Sequence, residues 1–313
     1  MTVNKIAIVF PGQGSQAVGM LGDLSTNYPD IQQTFEEASQ ALGRDLWAMA
    51  QQGSVEDINQ TQNTQPLILT ASVAIWRVLQ SNLTIQPTMM AGHSLGEYSA
   101  LVCAGSLDFV DAVKLVEQRA MFMQKAVPEG EGAMAAILGL EVESLINICD
   151  QAAEGEVVSA VNYNAPGQVV IAGHTAAVNR AIGLAKEQGA KRALPLPVSV
   201  PSHCSLMIPA AEQLLSVMST LEFASPAISV IHNTDIGQYN DAADIKRALG
   251  QQLHTPVRWV ETIEALVSAG VDTVIECGPG KVLSGLNKRI DKSLQLHSTG
   301  DEAALNKTIQ ALS

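Results

Sequence analysis

Gly92-His93-Ser94-Leu95-Gly96 stands between a short, proline-bounded apolar run, Pro87-Thr88-Met89-Met90-Ala91, and a helical stretch, Glu97-Tyr98-Ser99-Ala100-Leu101-Val102-Cys103-Ala104, closed by Gly105. A serine framed by glycines at the passage from strand to helix reads as a nucleophile elbow. The turn is tight enough to strain the serine backbone, and side chains two positions either way would collide. Glycine at 92 and 96 removes the collision. The hydroxyl then stands at the tip of a sheet beside the first N–H groups of a helix, placed to attack a carbonyl. Taken alone the pentapeptide is also a common loop string; the flanking strand and helix patterns carry the reading.

Outward from the elbow the pattern is of alternating strands and helices. Ile6-Ala7-Ile8-Val9-Phe10 is a continuous apolar run, as a buried parallel strand requires. Helical periodicity follows over 35–42 and 66–79, and again over 109–127 after the elbow. The class is therefore α/β. The texture changes between 128 and 198: strand over 132–138, helix over 143–153, strands over 157–161 and 168–172, helix over 176–188, strand over 192–198. The two middle strands flank Asn164-Ala165-Pro166-Gly167, a turn sequence that predicts a hairpin. The order β-α-β-β-α-β is that of a ferredoxin-like unit, here an α+β subdomain over 128–198 inserted into a larger domain made of 1–127 and 199–313. The second part continues with helix 205–221, strand 228–232, helices 242–253 and 257–269, strand 273–277 and helix 280–290.

Composition narrows the chemistry. Eighteen Lys and Arg against 31 Asp and Glu give a net charge of −13, which argues against nucleic acid or an anionic membrane as partner. Cys103, Cys149, Cys204 and Cys277 show neither C-x-x-C pairing nor zinc spacing and read as reduced thiols. Met1 to Lys5 lead into only five apolar residues before Pro11-Gly12, too few for a signal peptide. No apolar run approaches the ~18–20 residues of a membrane span. A soluble, cytoplasmic protein is expected.

A second glycine loop, Pro11-Gly12-Gln13-Gly14-Ser15-Gln16, follows the first strand. Gly12-x-Gly14-x-x-Ala17 fits a dinucleotide fingerprint. That fingerprint also needs an acid at the end of a second strand, and Glu36 and Glu37 fall in a helical pattern instead. The better reading is a backbone N–H offered to an oxyanion from the sheet's C-terminal edge; a second donor comes from the residue after the nucleophile.

A serine nucleophile needs a base. Of six histidines, two stand out. His203 lies where the extended run from Leu194 to Pro201 meets a helix. His297 lies near the C-terminus, where the histidine of a hydrolase triad falls after its serine and acid. The pattern favours His203 and leaves His297 open. Arg119 is the other informative residue. Helical phase puts it in the middle of an apolar arc, with Leu115, Val116, Phe122 and Met123 as neighbours and no local carboxylate. It either pairs with a distant acid, snorkels to water, or holds a ligand carboxylate bidentately.

Five motifs in order, Phe10 to Gln16, Gly92 to Tyr98, the Arg119 helix, Val198-Ser199-Val200-Pro201-Ser202-His203 and Glu276-Cys277-Gly278-Pro279-Gly280, resemble the malonyl-CoA:acyl-carrier-protein transacylases of dissociated fatty acid synthesis. The resemblance runs over nearly the whole chain. It implies an α/β-hydrolase-like core with a parallel sheet plus a ferredoxin-like insert. It implies Ser94 as nucleophile, His203 as base, the N–H groups of Gln13 and Leu95 as oxyanion hole, and Arg119 as the holder of the malonyl carboxylate. It further implies that the histidine is oriented by a main-chain carbonyl, here that of Gln252, and that Asn162 lies near the site. The expected reaction is a ping-pong transfer from malonyl-CoA to acyl carrier protein, with no metal or redox cofactor. Carrier proteins of this pathway are acidic, so docking is expected on a local basic patch: Lys281, Lys288, Arg289 and Lys292, or alternatively Lys191-Arg192. Two other classes remain open: a serine hydrolase built from Ser94, His297 and an acid such as Asp272, and a carrier-binding scaffold with a vestigial elbow.

Overall fold

The computed structural model describes residues 5–198 and 200–312. Residues 1–4, Ser199 and Ser313 lie outside the described residues, and with them the reading of the extreme N-terminus and the start of the second core segment at 199.

Among the described residues nine strands form two sheets: β1 (Ile6–Phe10), β2 (Met89–Gly92), β3 (Gly132–Leu138), β4 (Val158–Ala165), β5 (Gln168–His174), β6 (Arg192–Pro195), β7 (Ser229–Ile231), β8 (Thr273–Glu276) and β9 (Gln295–Ser298). The larger sheet has the order β7-β2-β1-β8-β9 and is parallel throughout. Its centre explains the unbroken apolar run of β1. Ile8 and Phe10 point into one core cluster and Ala7 and Val9 into another on the opposite face, so none of these four faces water and only Ile6 at the start is partly exposed.

The smaller sheet, order β4-β5-β3-β6, is antiparallel and drawn wholly from residues 132–195. With two helices, Val142–Ala153 and Thr175–Glu187, packed on it, it has the ferredoxin-like arrangement expected. The two parts meet where Tyr163 N–H donates to Val257 O at 3.0 Å and Val257 N–H to Val161 O at 2.8 Å.

The elbow sits at the C-terminal end of β2, on the sheet's central pair. An added Cβ at Gly92 would lie 1.9 Å from the carbonyl carbon of Gly96, and one at Gly96 would lie 2.1 Å from Phe10 O. Both are backbone contacts that cannot give way, so only glycine allows the turn. Ser94 between them has φ 53°, a left-handed conformation costing about 1–3 kcal/mol in a non-glycine residue. The helix Gly96–Cys103 starts directly behind it.

Several elements differ from expectation. The helix expected over 66–79 runs from Thr61 to Asn82 with Pro66 inside it. The carbonyl that Pro66 leaves without a helical donor, that of Gln62, accepts from Arg44 Nη2 at 3.2 Å instead. β6 stops at Pro195 rather than continuing to 198; with prolines at 195 and 197 the run lacks the N–H groups a ladder needs. Helix 205–221 opens as a 3-10 turn, Ser205–Met207, before the α-helix Ile208–Met218. β9 and the helix Glu302–Leu312 were not anticipated. β9 is a four-residue edge strand with no fully buried residue, too short to show a period. Among the described residues no helix is long and apolar enough to cross a membrane.

Candidate active site

Ser94 Oγ lies 2.8 Å from His203 Nε2, and His203 Nδ1 lies 2.7 Å from the main-chain oxygen of Gln252. A carbonyl only accepts, so Nδ1 carries the proton and Nε2 is the lone pair that faces the hydroxyl. His203 is itself held in a left-handed conformation (φ 67°) by its N–H, which donates to Leu253 O at 2.9 Å. Burial, and then the positive charge of Arg119, push the imidazole down from 6.5 to about 3. It is therefore neutral, and able to take a proton, across the neutral and mildly acidic range. The plot of kcat/KM for malonyl-CoA against pH should accordingly show no acid limb at 6.5; a fall centred there would mean a solvated imidazole is the base.

His297, the other candidate, sits on β9 opposite Ile275, at the far edge of the sheet from the β2 end that carries Ser94. His93 is half-buried, lines the same cleft as Ser94, and has its Nε2 2.8 Å from Asn164 Oδ1.

Arg119 is completely buried. Its Nη1 donates to Gln65 Oε1 at 2.8 Å, and its Nη2 to Gln252 Oε1 at 2.9 Å and to Ser94 Oγ at 3.2 Å. The guanidinium lies 5.4 Å from the centroid of the Tyr98 ring. Among the described residues no carboxylate lies within 4.0 Å of it. Of the alternatives left open by the sequence, neither a direct acid partner nor escape to water is realised. The cation is held by neutral amides, an aromatic face and the Ser94 hydroxyl.

The loop after β1 and the start of the elbow helix approach the same place. Gln13 lines the cleft, and its side-chain oxygen accepts from Thr61 Oγ1 at 3.2 Å and Gln65 Nε2 at 3.4 Å. Neither the N–H of Gln13 nor that of Leu95 is donated to another group among the described residues. Two unspent main-chain donors beside a nucleophile are what an oxyanion needs. Asn162, buried on β4 next to a register shift, lines the cleft from the smaller sheet. The cleft measures about 1020 Å³, and Met134, Val170, Leu196 and Val198 are among the apolar residues that line it with Ser94. That is room for an extended chain bearing an acyl group.

Three contributors were not found in the sequence. Asn233 accepts from Ser94 N–H at 2.7 Å and donates Nδ2–H to Gly92 O at 2.7 Å, stitching the elbow across its two sides. Gln65 holds one end of Arg119. Glu97, fully buried, lies 2.7 Å from His232 Nδ1 and accepts from Gln252 Nε2 at 2.9 Å. The periodicity test that singled out Arg119 finds Glu97 too, a charge on the apolar helix behind the elbow; Asn233 carries no comparable signal.

A parallel sheet in which the strand beside the central one ends in a serine elbow, with an imidazole on the hydroxyl and main-chain donors beside it, defines a serine acyl-transfer fold of the α/β-hydrolase-like class. Residues 7–305 match the family model described as the acyl transferase domain. Curated relatives include the malonyl CoA-acyl carrier protein transacylases of Haemophilus influenzae, 59% identical over 97% of this chain and 98% of that protein, and of Escherichia coli K12, 54% identical over 98% and 100%. Among solved structures, an acyl carrier protein S-malonyltransferase from Vibrio cholerae O1 biovar eltor is 60% identical, with a TM-score of 0.95 over 97% of this chain and 99% of that one. A malonyl-transacylase in complex with its type II PKS acyl-carrier protein is 54% identical, with a TM-score of 0.97 over 98% and 99%. The chain belongs to the acyl transferase family and, within it, to the malonyl CoA-acyl carrier protein transacylases.

Proposed function

We propose that this chain moves the malonyl group of malonyl-CoA onto the pantetheine thiol of acyl carrier protein, in fatty acid synthesis, through a malonyl ester on Ser94. One observation carries the substrate assignment. The nucleophilic hydroxyl is touched, at 3.2 Å, by a buried guanidinium that no carboxylate among the described residues contacts. A thioester whose acyl group ends in a carboxylate satisfies both.

In the first half-reaction Ser94 Oγ attacks the thioester carbonyl as His203 Nε2 takes its proton, and the N–H groups of Gln13 and Leu95 receive the developing oxyanion. Collapse breaks the C–S bond, and coenzyme A leaves with the proton from His203. The carrier's thiol then attacks the serine ester with His203 as base, and the returned proton regenerates the hydroxyl. A thioester is already activated, so a histidine oriented by a carbonyl rather than an acid suffices. The steps use side chains and main-chain donors alone. Once Ser94 is acylated, the Nη2 hydrogen now directed at its hydroxyl is free to pair with the malonyl carboxylate, beside the remaining Nη1 hydrogen. The test is the half-reaction: malonyl-CoA mixed with enzyme and no carrier should release about one coenzyme A per active site and then stop. Release that requires carrier from the start would exclude the ester intermediate.

Docking of the carrier is assigned to the exposed cations of the helix Val282–Ile290 and its flanks, Lys281, Lys288, Arg289 and Lys292. Gly280, next to Lys281, lies against Ser15 of the loop that carries Gln13. Arg289 is already engaged by Gln168 Oε1 and by Pro166 O at 3.4 Å, so the lysines are the cleaner probes. Lys281→Glu with Lys288→Glu should raise KM for the carrier several-fold and leave KM for malonyl-CoA unchanged. Equal effects on both would move docking elsewhere, Lys191 and Arg192 being the next candidates. A cytoplasmic location belongs to the same proposal, supported by four cysteines that are all unpaired.

A further inference from the structure

Arg119 poses a problem of charge. A fully buried guanidinium with no acid against it is costly, yet an acid against it would occupy the donors a substrate carboxylate needs. A second fully buried charge lies one residue away. Glu97 Oε2 accepts from Gln252 Nε2 at 2.9 Å and from Asn233 N at 3.0 Å, and Oε1 lies 2.7 Å from His232 Nδ1. The other end of the same Gln252 amide, Oε1, accepts from Arg119 Nη2 at 2.9 Å. Guanidinium, amide and carboxylate therefore form one continuous line in which the two charges never touch.

A carboxylate that only accepts also fixes which way the amide points. Gln252 Nε2 must face Glu97, so Oε1 must face Arg119. Burial disfavours the charged form of Arg119; Tyr98 first, and then the field of Glu97, act the other way.

We propose that Glu97 is the counter-charge of Arg119, held off by one glutamine so that the guanidinium stays charged in the interior while its fork remains open to the carboxylate of the incoming acyl group. The proposal rests on the reading of Arg119 as the malonyl clamp. Glu97 touches no reacting atom; it is a positioning residue that acts through Gln252.

Glu97→Gln tests it. The substituted amide keeps the shape and all three contacts: its oxygen faces Gln252 and Asn233, and its NH₂ faces His232 Nδ1 in the other ring tautomer. Only the charge is lost. Chemical denaturation of the full chain is compared for wild type, Glu97→Gln, Arg119→Met and the double variant. Glu97→Gln should lower the denaturation midpoint in the wild type and lower it by less than half as much beside Arg119→Met, where no cation needs balancing. Equal losses in the two backgrounds would make Glu97 a structural peg and overturn the proposal. If Glu97→Gln alone fails to fold, recovery of a folded double variant supports the pairing, and its failure beside a folded Arg119→Met contradicts it.

A second arm reads the ligand. In a Ser94→Ala chain, which cannot be acylated, Glu97→Gln should tighten malonyl-CoA binding by about tenfold relative to acetyl-CoA, because the negative charge that balances the guanidinium is gone. An unchanged or reversed ratio overturns the proposal. Absence of any preference for malonyl-CoA over acetyl-CoA in the Ser94→Ala parent would instead count against the clamp, leaving the stability comparison to judge the charge pair by itself.

Discussion

With His203 replaced by alanine, transfer of malonyl to the carrier should fall by about 10²–10⁴-fold in kcat/KM, the range that a positioned general base supplies. The geometry leaves no substitute. His203 Nε2 is the ring nitrogen that meets Ser94 Oγ. His93, the other imidazole lining the cleft, has its Nε2 committed to Asn164. In the proposed mechanism both half-reactions route their proton through His203, so the loss should appear in coenzyme A release without carrier as well as in the complete reaction. The fold should survive, since the imidazole packs at the edge of a cleft and its removal leaves Ser94 bonded through its N–H to Asn233. A hydrolase working through His297 would keep its activity in this variant. Near-wild-type turnover would therefore return the chain to that class.

Replacing Arg119 by alanine should separate two substrates. Malonyl transfer should fall by about 10²–10³-fold in kcat/KM, the scale of removing one partner of a buried, hydrogen-bonded charge pair. Acetyl transfer should hold or rise, because acetyl brings no carboxylate to pair with the cationic fork and loses nothing when the fork is removed. The effect is a change of preference, which a general loss of stability would not produce. Malonyl transfer that persisted while acetyl transfer failed to rise would show the clamp to be misassigned.

Much of this was legible in the chain because its causes are local. The collisions that demand glycine at 92 and 96 are set by a turn of five residues. The two-sided burial of β1 shows as five apolar residues in succession. The ferredoxin-like order follows from the sequence of strand and helix patterns between 132 and 195. Arg119 betrayed itself by standing on the wrong face of its own helix.

What was not legible depends on residues far apart in sequence. Periodicity alone could not decide between His203 and His297; that choice needed the sheet order, which puts β9 at the edge, and the family resemblance. The partner of His203 Nδ1 is a main-chain oxygen, and any residue at 252 has one. Residue type therefore carried no information about it. Gln252 matters for its side chain as well, but only once residues 97, 119 and 233 surround it. Asn233 follows an ordinary three-residue strand and becomes part of the elbow only in three dimensions. β9 is short, lies at the edge and is nowhere fully buried, so hydrophobic pattern had nothing to register.

The claim on which the rest depends is that Ser94 carries the malonyl group between two thiols. Intact-mass spectrometry of the chain mixed with malonyl-CoA, followed by peptide mapping, addresses it directly. A single adduct of one malonyl group on the peptide containing Ser94, absent from Ser94→Ala and discharged by carrier, is the predicted result. No adduct, or an adduct that persists in Ser94→Ala, would contradict it.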